Sequence, residues 1–342
     1  MKSKVAVVIL NWNGCSFLEK FLHSVVENTP PAIAEVIVAD NGSTDNSLDF
    51  LKEKFPSVRT ICYDKNYGFT GGYNRAIETL EHEYTVLLNS DVETPKGWLE
   101  PLYEQMEKSP EVGACMPKII AHANKKSFEY AGACGGFLDR YGYPFCRGRI
   151  LATTEEDNGQ YSTPIPVFWA SGACLLVRTD LYKKLGGFDA DFFAHMEEID
   201  FCWRLQHAGY KVMVYPQSRV YHVGGGTLPN NNPHKMYLNF RNSLLMLTKN
   251  LPKKVLITTL FVRMLLDGAA GLAFLANGKW SFFTAVLKAH RDFYKMLGKF
   301  MAKRKEVGKY SPSGFYKKSV VLSYMIKGKK TFDQLDSTKF TV

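Results

Sequence analysis

Carboxylates in this sequence follow apolar runs at the points where buried strands would end. Residues 84–88, Tyr-Thr-Val-Leu-Leu, lead into Asn89, Ser90 and Asp91, and Asp40 ends another such run. In open α/β sheets, ligands collect beyond the carboxyl ends of the strands. A carboxylate beside Asn and Ser oxygens at that position suits a hard cation such as Mg²⁺ or Mn²⁺. A strand-end turn or a helix cap uses the same residue types, so both interpretations stay open.

Two further segments have the composition of ligand-binding loops. Asp40 is followed by Asn-Gly-Ser-Thr-Asp, and it either accepts a hydrogen bond from a nucleobase or ribose or ends a tight turn. Gly71 and Gly72 lie at the start of a predicted helix, where glycines let the backbone approach a phosphate or sugar and the helix N-terminus favours anions. Neither segment matches the dinucleotide fingerprint or the P-loop, so each alone is a weak signal.

A group of three acids at Glu197, Glu198 and Asp200 is the strongest indication of acid–base chemistry. On a helix, Asp200 lies one turn before Arg204 and can pair with it. Glu198 points elsewhere, and its place near the helix N-terminus favours the ionised form that a general base requires. A solvated acidic first turn is the alternative.

His222 follows a strand-like stretch near the middle of the chain. A lone histidine is usually a packed or hydrogen-bonded residue. Together with Asp91 it would make a mixed nitrogen and oxygen site, which favours Mn²⁺ over Mg²⁺.

The elements that must position these residues alternate between strand and helix. Strands are predicted at 4–10, 35–39, 58–63, 84–88, 167–177 and 211–215, and helices at 16–27, 47–54, 72–81, 179–184 and 196–208. This order predicts an α/β fold, a Rossmann-like and mostly parallel sheet with helices on both faces. Residues 123–166 are rich in Gly, Pro and polar residues and are predicted to be loops or an irregular insertion.

The net charge of +10 comes entirely from the end of the chain. Residues 249–342 hold 19 Lys and Arg against 5 Asp and Glu, whereas the first 248 residues hold 24 against 28. We therefore divide the chain into a domain at 1–248 and a helical, basic region at 249–342. Nucleic acid and an anionic membrane surface are both possible partners for such a region.

Within that region, residues 255–276 are mostly apolar and long enough to span a bilayer. Arg263 and Asp267 lie in the middle of the segment, four residues apart, which is costly in the centre of a bilayer and ordinary at its surface. Basic clusters follow at 303–305 and 327–330, among aromatic residues. We favour helices lying in a cytoplasmic leaflet over a soluble helical cap, and a true span last.

The N-terminus shows no signal-peptide pattern, since a short strand-like run begins at once. The seven cysteines are scattered and include no C-x-x-C pair. We therefore expect reduced thiols in a cytoplasmic compartment and no zinc cluster.

Seven segments, taken in order, resemble the family-two inverting glycosyltransferases of GT-A fold, and in particular the rhamnosyltransferase-like branch of bacterial surface polysaccharide synthesis. They cover residues 4–227 and read VVILNWNG, VIVADNGSTDNS, NYGFTGGYNRAI, LLNSDVE, FWASGACLLVR, GGFDADFFAHMEEIDFCWRLQHAGY and VYHVGGGT. The resemblance departs from the family at two points. Asn89 replaces the first acid of the D-x-D metal motif, and Glu198 stands where the catalytic base is usually Asp.

The resemblance also implies roles for individual residues. Asp91 and His222 would hold Mn²⁺ or Mg²⁺ on the donor diphosphate. Glu198 would be the catalytic base, with Asp200 as the competing candidate. The donor would be bound by residues from several segments, namely Leu10, Asn11, Asp40, Gly72, Asn74, Asn89, Ser90, Gly172 and Ala173.

The reaction that this implies is a single displacement that inverts the anomeric carbon. The donor would be a dTDP- or UDP-sugar, with rhamnose a candidate, and the acceptor a hydroxyl of a glycan or lipid-linked glycan. The basic C-terminal region would then hold the enzyme on the inner face of the plasma membrane, and no nucleic-acid motif accompanies it.

Two other functions compete with this interpretation. A nucleotidyltransferase would need a glycine-rich basic loop after the first strand, whereas residues 11–16 contain no Lys or Arg. A non-catalytic nucleotide-sugar-binding protein of the same fold would not need Glu198, Asp200 and His222.

Overall fold

The computed structural model describes residues 3–224, 232–304 and 312–341. Two β-sheets and ten α-helices make up these parts of the chain. The strands are β1 (Val5–Asn11), β2 (Ala34–Asp40), β3 (Arg59–Cys62), β4 (Tyr84–Asn89), β5 (Val92–Glu93), β6 (Val112–Ala121), β7 (Gly136–Asp139), β8 (Pro144–Cys146), β9 (Arg149–Ile150), β10 (Thr153–Thr154), β11 (Ile165–Pro166), β12 (Cys174–Arg178), β13 (Lys211–His222) and β14 (Phe315–Tyr316).

The helices lie between these strands and after β13. They are α1 (Cys15–Asn28), α2 (Ser47–Lys54), α3 (Gly68–Glu78), α4 (Glu100–Lys108), α5 (Thr179–Lys184), α6 (Glu197–His207), α7 (Pro233–Asn250), α8 (Lys253–Ala276), α9 (Trp280–Ala302) and α10 (Val320–Met325). Residues 225–227 of the last motif and Lys305 of the first basic cluster lie outside the described residues.

The main sheet is mixed. Its order is β11-β13-β6-β12-β4-β1-β2-β3, with β5 added beside β13. The strands β1, β2, β3 and β4 are parallel, as predicted, but β12 runs antiparallel to both β4 and β6. The strands β1 and β4 are buried for most of their length, which explains why both appear in the sequence as uninterrupted apolar runs.

The glycine-rich segment forms the first turns of α3 and not a loop ahead of it. The helix begins at Gly68, four residues before the predicted start. Gly72 lies inside it and faces β1, because a Cβ atom there would come within 2.6 Å of the Leu10 side chain. Glycine therefore allows α3 to approach the sheet closely at this point.

The region predicted to be irregular contains most of a second sheet, of order β10-β9-β8-β7-β14. Its strands are two to four residues long, too short to produce a detectable alternation. The predicted strand at 167–177 is likewise interrupted. Trp169 pairs with Gly136 of the small sheet, so the regular strand begins only at Cys174.

The C-terminal region is packed onto the rest of the chain. Helix α7 crosses the predicted boundary at residue 248 and contacts α6, α8 and α9. Strand β14 pairs with β7, and Phe332 and Phe340 pack against Phe137. Packing is therefore continuous between the described residues on the two sides of position 248.

Candidate active site

The ends of β4 and β13 bring Asp91 and His222 together. Val92 pairs with His222 across the β5–β13 ladder, and the Val223 N–H donates to the Asp91 carbonyl at 3.1 Å. His222 Nε2 lies 3.1 Å from Asp91 Oδ1, and both side chains are buried. The structure thus places the predicted metal ligands side by side, although they are far apart in the sequence.

A second acidic side chain, Glu129, joins this pair from the loop between β6 and β7. Its Oε2 lies 3.4 Å from His222 Nδ1 and accepts the Ala131 N–H at 2.6 Å. Burial alone would lower the pKa of His222, but hydrogen bonds to the two carboxylates raise it to about 10. Burial opposes ionisation of Asp91, yet the bond to His222 lowers its pKa. Glu129 lies outside every motif and was therefore not predicted from the sequence.

This donor set fits a divalent cation. Among the described residues, no three His, Cys, Asp or Glu side chains are grouped to hold a metal ion, so Asp91 and His222 would be the two protein ligands. Two protein ligands leave positions for diphosphate oxygens and water, as in many Mg²⁺ sites, while the imidazole favours Mn²⁺. A carboxylate such as Glu129 on the second ring nitrogen is the usual partner of a ligating histidine. A cation would displace the proton that the imidazole now shares with Asp91.

Gly172 and Ala173 lie at the same edge of the sheet. The Asn89 N–H donates to the Ala173 carbonyl at 3.1 Å, and the Ala173 N–H donates to Ser171 Oγ at 3.2 Å. The Ser171 hydroxyl in turn donates to the Ala131 carbonyl at 2.5 Å. Hydrogen bonds therefore connect this segment to the end of β4 on one side and to the loop that contains Glu129 on the other.

Asn89 and Ser90 are half-buried at the end of β4. The Asn89 amide nitrogen is 3.4 Å from His222 Nε2. The amide of Asn89, which stands where the family motif has an acid, is thus directed at the pair formed by Asp91 and His222.

Asn11 and Asp40 occupy the ends of β1 and β2 and are in register. Asn11 Nδ2 donates to Asp40 Oδ2 at 3.0 Å, and the Ser43 N–H donates to Oδ1 at 2.8 Å. Asp40 is only 1% exposed, so its carboxylate holds the turn after β2. Because β1 lies between β2 and β4, these residues share the carboxyl edge with Asp91.

Asn74 is committed to contacts within the protein. Its Nδ2 donates to the Phe188 carbonyl at 2.7 Å, while its Oδ1 accepts from the Phe188 N–H and the Tyr182 hydroxyl at 2.9 and 2.6 Å. The side chain of Asn74 thus anchors α3 to the segment before α6, and its contact with the donor stays a prediction. Leu10 and Gly72 pack against each other beside it.

Glu198 is the second residue of α6, and one of its carboxylate oxygens, Oε2, is buried without a hydrogen-bond partner. Cys202 lies one turn later and accepts the Ala170 N–H at 3.5 Å, which places this face of α6 beside the 170–173 segment. Burial raises the pKa of Glu198 to about 7, although its own N–H and that of Ile199 lower it. Desolvation thus outweighs the helix terminus that was expected to favour the ionised form.

Asp200 has three hydrogen-bond partners inside the protein. It is fully buried, and it accepts from Arg204 Nε at 2.8 Å, Lys249 Nζ at 2.9 Å and Asn250 Nδ2 at 2.8 Å. The pairing with Arg204 confirms the helical spacing. Burial opposes ionisation, but the two cations lower the pKa of Asp200. Both oxygens are engaged within the protein, and the role of Asp200 as a competing base stays a prediction.

Part of the basic C-terminal region faces the same corner of the molecule. Lys249 and Lys303 lie 2.8 and 2.6 Å from Asp189, and Lys299 lies 2.7 Å from Asp191. These ion pairs join α7 and α9 to the segment just before Glu198.

The mixed central sheet with its flanking helices is the fold of the GT-A glycosyltransferases. The Glycosyl transferase family 2 model matches residues 6–186, more than half of the chain. The protein belongs to this family, and it is a glycosyltransferase of GT-A fold.

Named relatives cover about two thirds of the chain. An N-acetylglucosaminyl-diphospho-decaprenol L-rhamnosyltransferase of Mycobacterium tuberculosis is 28% identical over 65% of this chain and 76% of its own length. The O-antigen biosynthesis protein RfbC of Myxococcus xanthus is 26% identical over 64% of this chain but only 17% of its own length.

Solved structures with the same fold have much lower identity. S. aureus TarS aligns with a TM-score of 0.56 at 15% identity, over 88% of this chain and 83% of that one. GalNAc-T7 with UDP, GalNAc and Mn²⁺ aligns with a TM-score of 0.53 at 19% identity, over 69% of this chain and 48% of that one.

Proposed function

We propose that this glycosyltransferase is metal-dependent and inverting, and that it moves a sugar from a nucleoside-diphosphate sugar to a hydroxyl group of a glycan or lipid-linked glycan. The observation that carries the proposal is the buried pair of Asp91 and His222, 3.1 Å apart, at the edge that also holds Gly172 and Ala173. The unpartnered carboxylate of Glu198 supplies the base.

In this mechanism, Glu198 accepts the proton of the acceptor hydroxyl as that oxygen attacks the anomeric carbon. Asp91 and His222 would hold the cation at the diphosphate end of the donor, while Glu129 fixes the orientation of the imidazole. When bound, Mn²⁺ or Mg²⁺ would neutralise the negative charge of the departing nucleoside diphosphate. Direct attack inverts the anomeric configuration, and a single carboxylate is sufficient because no covalent sugar–enzyme bond forms.

The proposed donor is a dTDP- or UDP-sugar, with rhamnose as the first sugar to test. The name of the M. tuberculosis relative supports both this sugar and a lipid-linked acceptor. The name of the M. xanthus relative supports a place in cell-surface polysaccharide synthesis.

We propose that the protein lies on the inner face of the plasma membrane and that α8 holds it there. This helix is the one in the described chain that is long and apolar enough to cross a membrane, by length and composition. One side of it is buried, because Arg263 pairs with Asp267 at 2.8 Å and donates to the Tyr141 and Gly142 carbonyls. We therefore propose that α8 lies on the membrane and does not span it, since a span would pull this ion pair into lipid.

The test is the release of nucleoside diphosphate from a panel of sugar nucleotides with Mn²⁺, Mg²⁺ or EDTA. We expect the wild type to hydrolyse one donor slowly in a metal-dependent way. Glu198→Gln should abolish release and keep donor binding, whereas Glu104→Gln, on an exposed carboxylate of α4, should behave like the wild type.

The proposed role of Asp91 and His222 in holding the cation is tested separately, by measuring metal binding. Asp91→Asn should weaken Mn²⁺ binding in the presence of UDP, measured by calorimetry, as well as turnover. A wild type that binds a donor but never releases diphosphate, even with lipid extracts supplied, would favour the non-catalytic nucleotide-sugar-binding protein instead.

A further inference from the structure

The loop that precedes α6 has an unusual backbone. Phe193, His195 and Met196 have φ angles of 67°, 69° and 71°, in the left-handed region that residues other than glycine rarely adopt. Such a conformation persists only where surrounding contacts hold it, and it clusters at functional sites. Because Met196 directly precedes α6, this loop sets the direction in which the helix, and with it Glu198, begins.

Asn242 of α7 contacts this loop through a fully buried carboxamide. Its Nδ2 lies 3.0 Å from the Phe192 carbonyl oxygen and 2.8 Å from the carbonyl oxygens of both Ala194 and His195. Three carbonyls of one short loop therefore converge on one amide group. An unpaired carbonyl buried here would be unfavourable, so the amide stabilises the left-handed conformation over the alternatives.

The neighbouring residue Arg241 strengthens the same contact. Its Nε donates to Asn242 Oδ1 at 2.9 Å, which fixes the amide with its nitrogen toward the loop. Its Nη2 also donates to the Asp191 and Phe192 carbonyls at 3.3 and 3.1 Å. Both residues follow the last family motif, and neither lies in a segment with a predicted catalytic or binding role.

We propose that Asn242 is a positioning residue that acts through the 192–196 loop and holds Glu198 in its productive place. The inference rests on the proposed function, in which Glu198 is the base. Without the amide, the loop relaxes toward ordinary backbone angles and turns the start of α6. The carboxylate of Glu198 then moves away from the acceptor hydroxyl, while the donor-binding edge on β1, β2 and β4 stays in place.

The experiment compares Asn242→Ala with Thr248→Val in the full-length protein. Thr248 is a matched control, because it is buried in the same helix and its hydroxyl donates only to the Leu244 carbonyl, at 2.8 Å. We expect Asn242→Ala to lower kcat for donor hydrolysis by about 100-fold, the loss typical of a misplaced reacting group, with KM for the donor within about two-fold of the wild type. Thr248→Val should leave both constants unchanged.

Hydrogen exchange measured on the same proteins reports on the loop without requiring turnover. Amides 193–198 should exchange faster in Asn242→Ala and at the wild-type rate in Thr248→Val. Unchanged exchange in Asn242→Ala overturns the inference whether or not any donor is turned over. Failure of the wild type to turn over any donor counts only against the proposed function.

The kinetic constants distinguish a positioning role of Asn242 from a role in folding alone. An unchanged kcat, or a fall in activity that follows the fraction of folded protein, overturns the inference. If Asn242→Ala does not fold, Arg241→Lys is used instead. This change keeps the positive charge but removes the guanidinium group that donates to Asn242 Oδ1. The same fall in kcat with constant KM is then expected.

Discussion

At the scale of single residues, two carboxylates on the first turn of α6 have opposite environments. Glu198 has an unpartnered buried oxygen, and burial raises its pKa to about 7. Asp200 is buried as well, but Arg204 and Lys249 lower its pKa. A pair of acids whose pKa values are pushed apart by their surroundings divides into a proton-transfer group and a fixed charge. We propose that Glu198 is the proton-transfer group and Asp200 the fixed charge.

The pH dependence of the reaction follows from this assignment. A general base acts in its deprotonated form, so kcat/KM for donor hydrolysis should rise with pH and reach half of its maximum near pH 7, the value to which burial raises the pKa of Glu198. The profile is measured with saturating metal between pH 5 and 9, a range set by about two units on either side. A rate that is constant across this range would exclude Glu198 as the titrating base.

At the scale of elements, the sequence predicts what local patterns determine. The helices α2 and α5 have the predicted bounds, since amphipathic spacing and flanking residues define both. The early start of α3 was not predictable, because glycines disfavour a helix in isolation. The close contact between Gly72 and Leu10 explains why glycine occurs inside this one. The small sheet was missed for a similar reason, since β14 comes from residues about 180 positions after its partner β7. Tertiary contacts decide these elements.

The contact between α8 and the small sheet gives a prediction about stability. Arg263 and Asp267 form a buried ion pair there, and the Tyr143 hydroxyl donates to Asp267 at 3.0 Å. Asp267→Leu leaves the guanidinium buried without its partner and should lower the free energy of unfolding by about 3–5 kcal/mol.

The double variant Arg263→Leu with Asp267→Leu provides the comparison. Because it removes both charges, it should recover most of the loss seen in Asp267→Leu alone. The free energies of unfolding of the wild type and the two variants are measured by urea denaturation. Equal stability of the wild type and Asp267→Leu would show that the pair is not buried as described.

At the scale of the whole molecule, the basic C-terminal region has two uses. Lys249, Lys299 and Lys303 pair with Asp189 and Asp191 and bind the helices to the active-site corner. The prediction that this region serves a membrane surface thus omitted its contacts within the protein. These contacts could have been anticipated from the excess of acidic residues in the first 248 positions, which is opposite in sign to the charge of the C-terminal region. Glu129 and Asn242 carried no signal, because only the fold brings them to the site.

The outer face of α8 and its basic neighbours give the prediction for membrane binding. Ile257, Phe261 and Leu265, at intervals of four residues, are 81, 64 and 59% exposed. Lys253 and Lys254 are exposed at the start of the same helix, and each contributes about 1 kcal/mol of attraction to an anionic surface. The protein should therefore float with vesicles that contain phosphatidylglycerol, and less so as salt is raised.

Substitution on this face tests the surface directly. Ile257→Glu combined with Leu265→Glu should abolish flotation and leave donor hydrolysis unchanged. Leu48→Glu, on an exposed leucine of α2, is the control and should float like the wild type. Flotation of the double variant at the wild-type level would contradict binding through α8.

The measurement that tests the central claim most directly is the configuration of the sugar first released from the donor. Proton NMR during slow hydrolysis, recorded before the anomers equilibrate, distinguishes direct attack by water from a double displacement. A base at Glu198 and no covalent sugar–enzyme bond predict that the first product has the opposite anomeric configuration to the donor, and that Glu198→Gln forms none of it. Release with retained configuration, or undiminished release by Glu198→Gln, would contradict the single displacement that this site is proposed to catalyse.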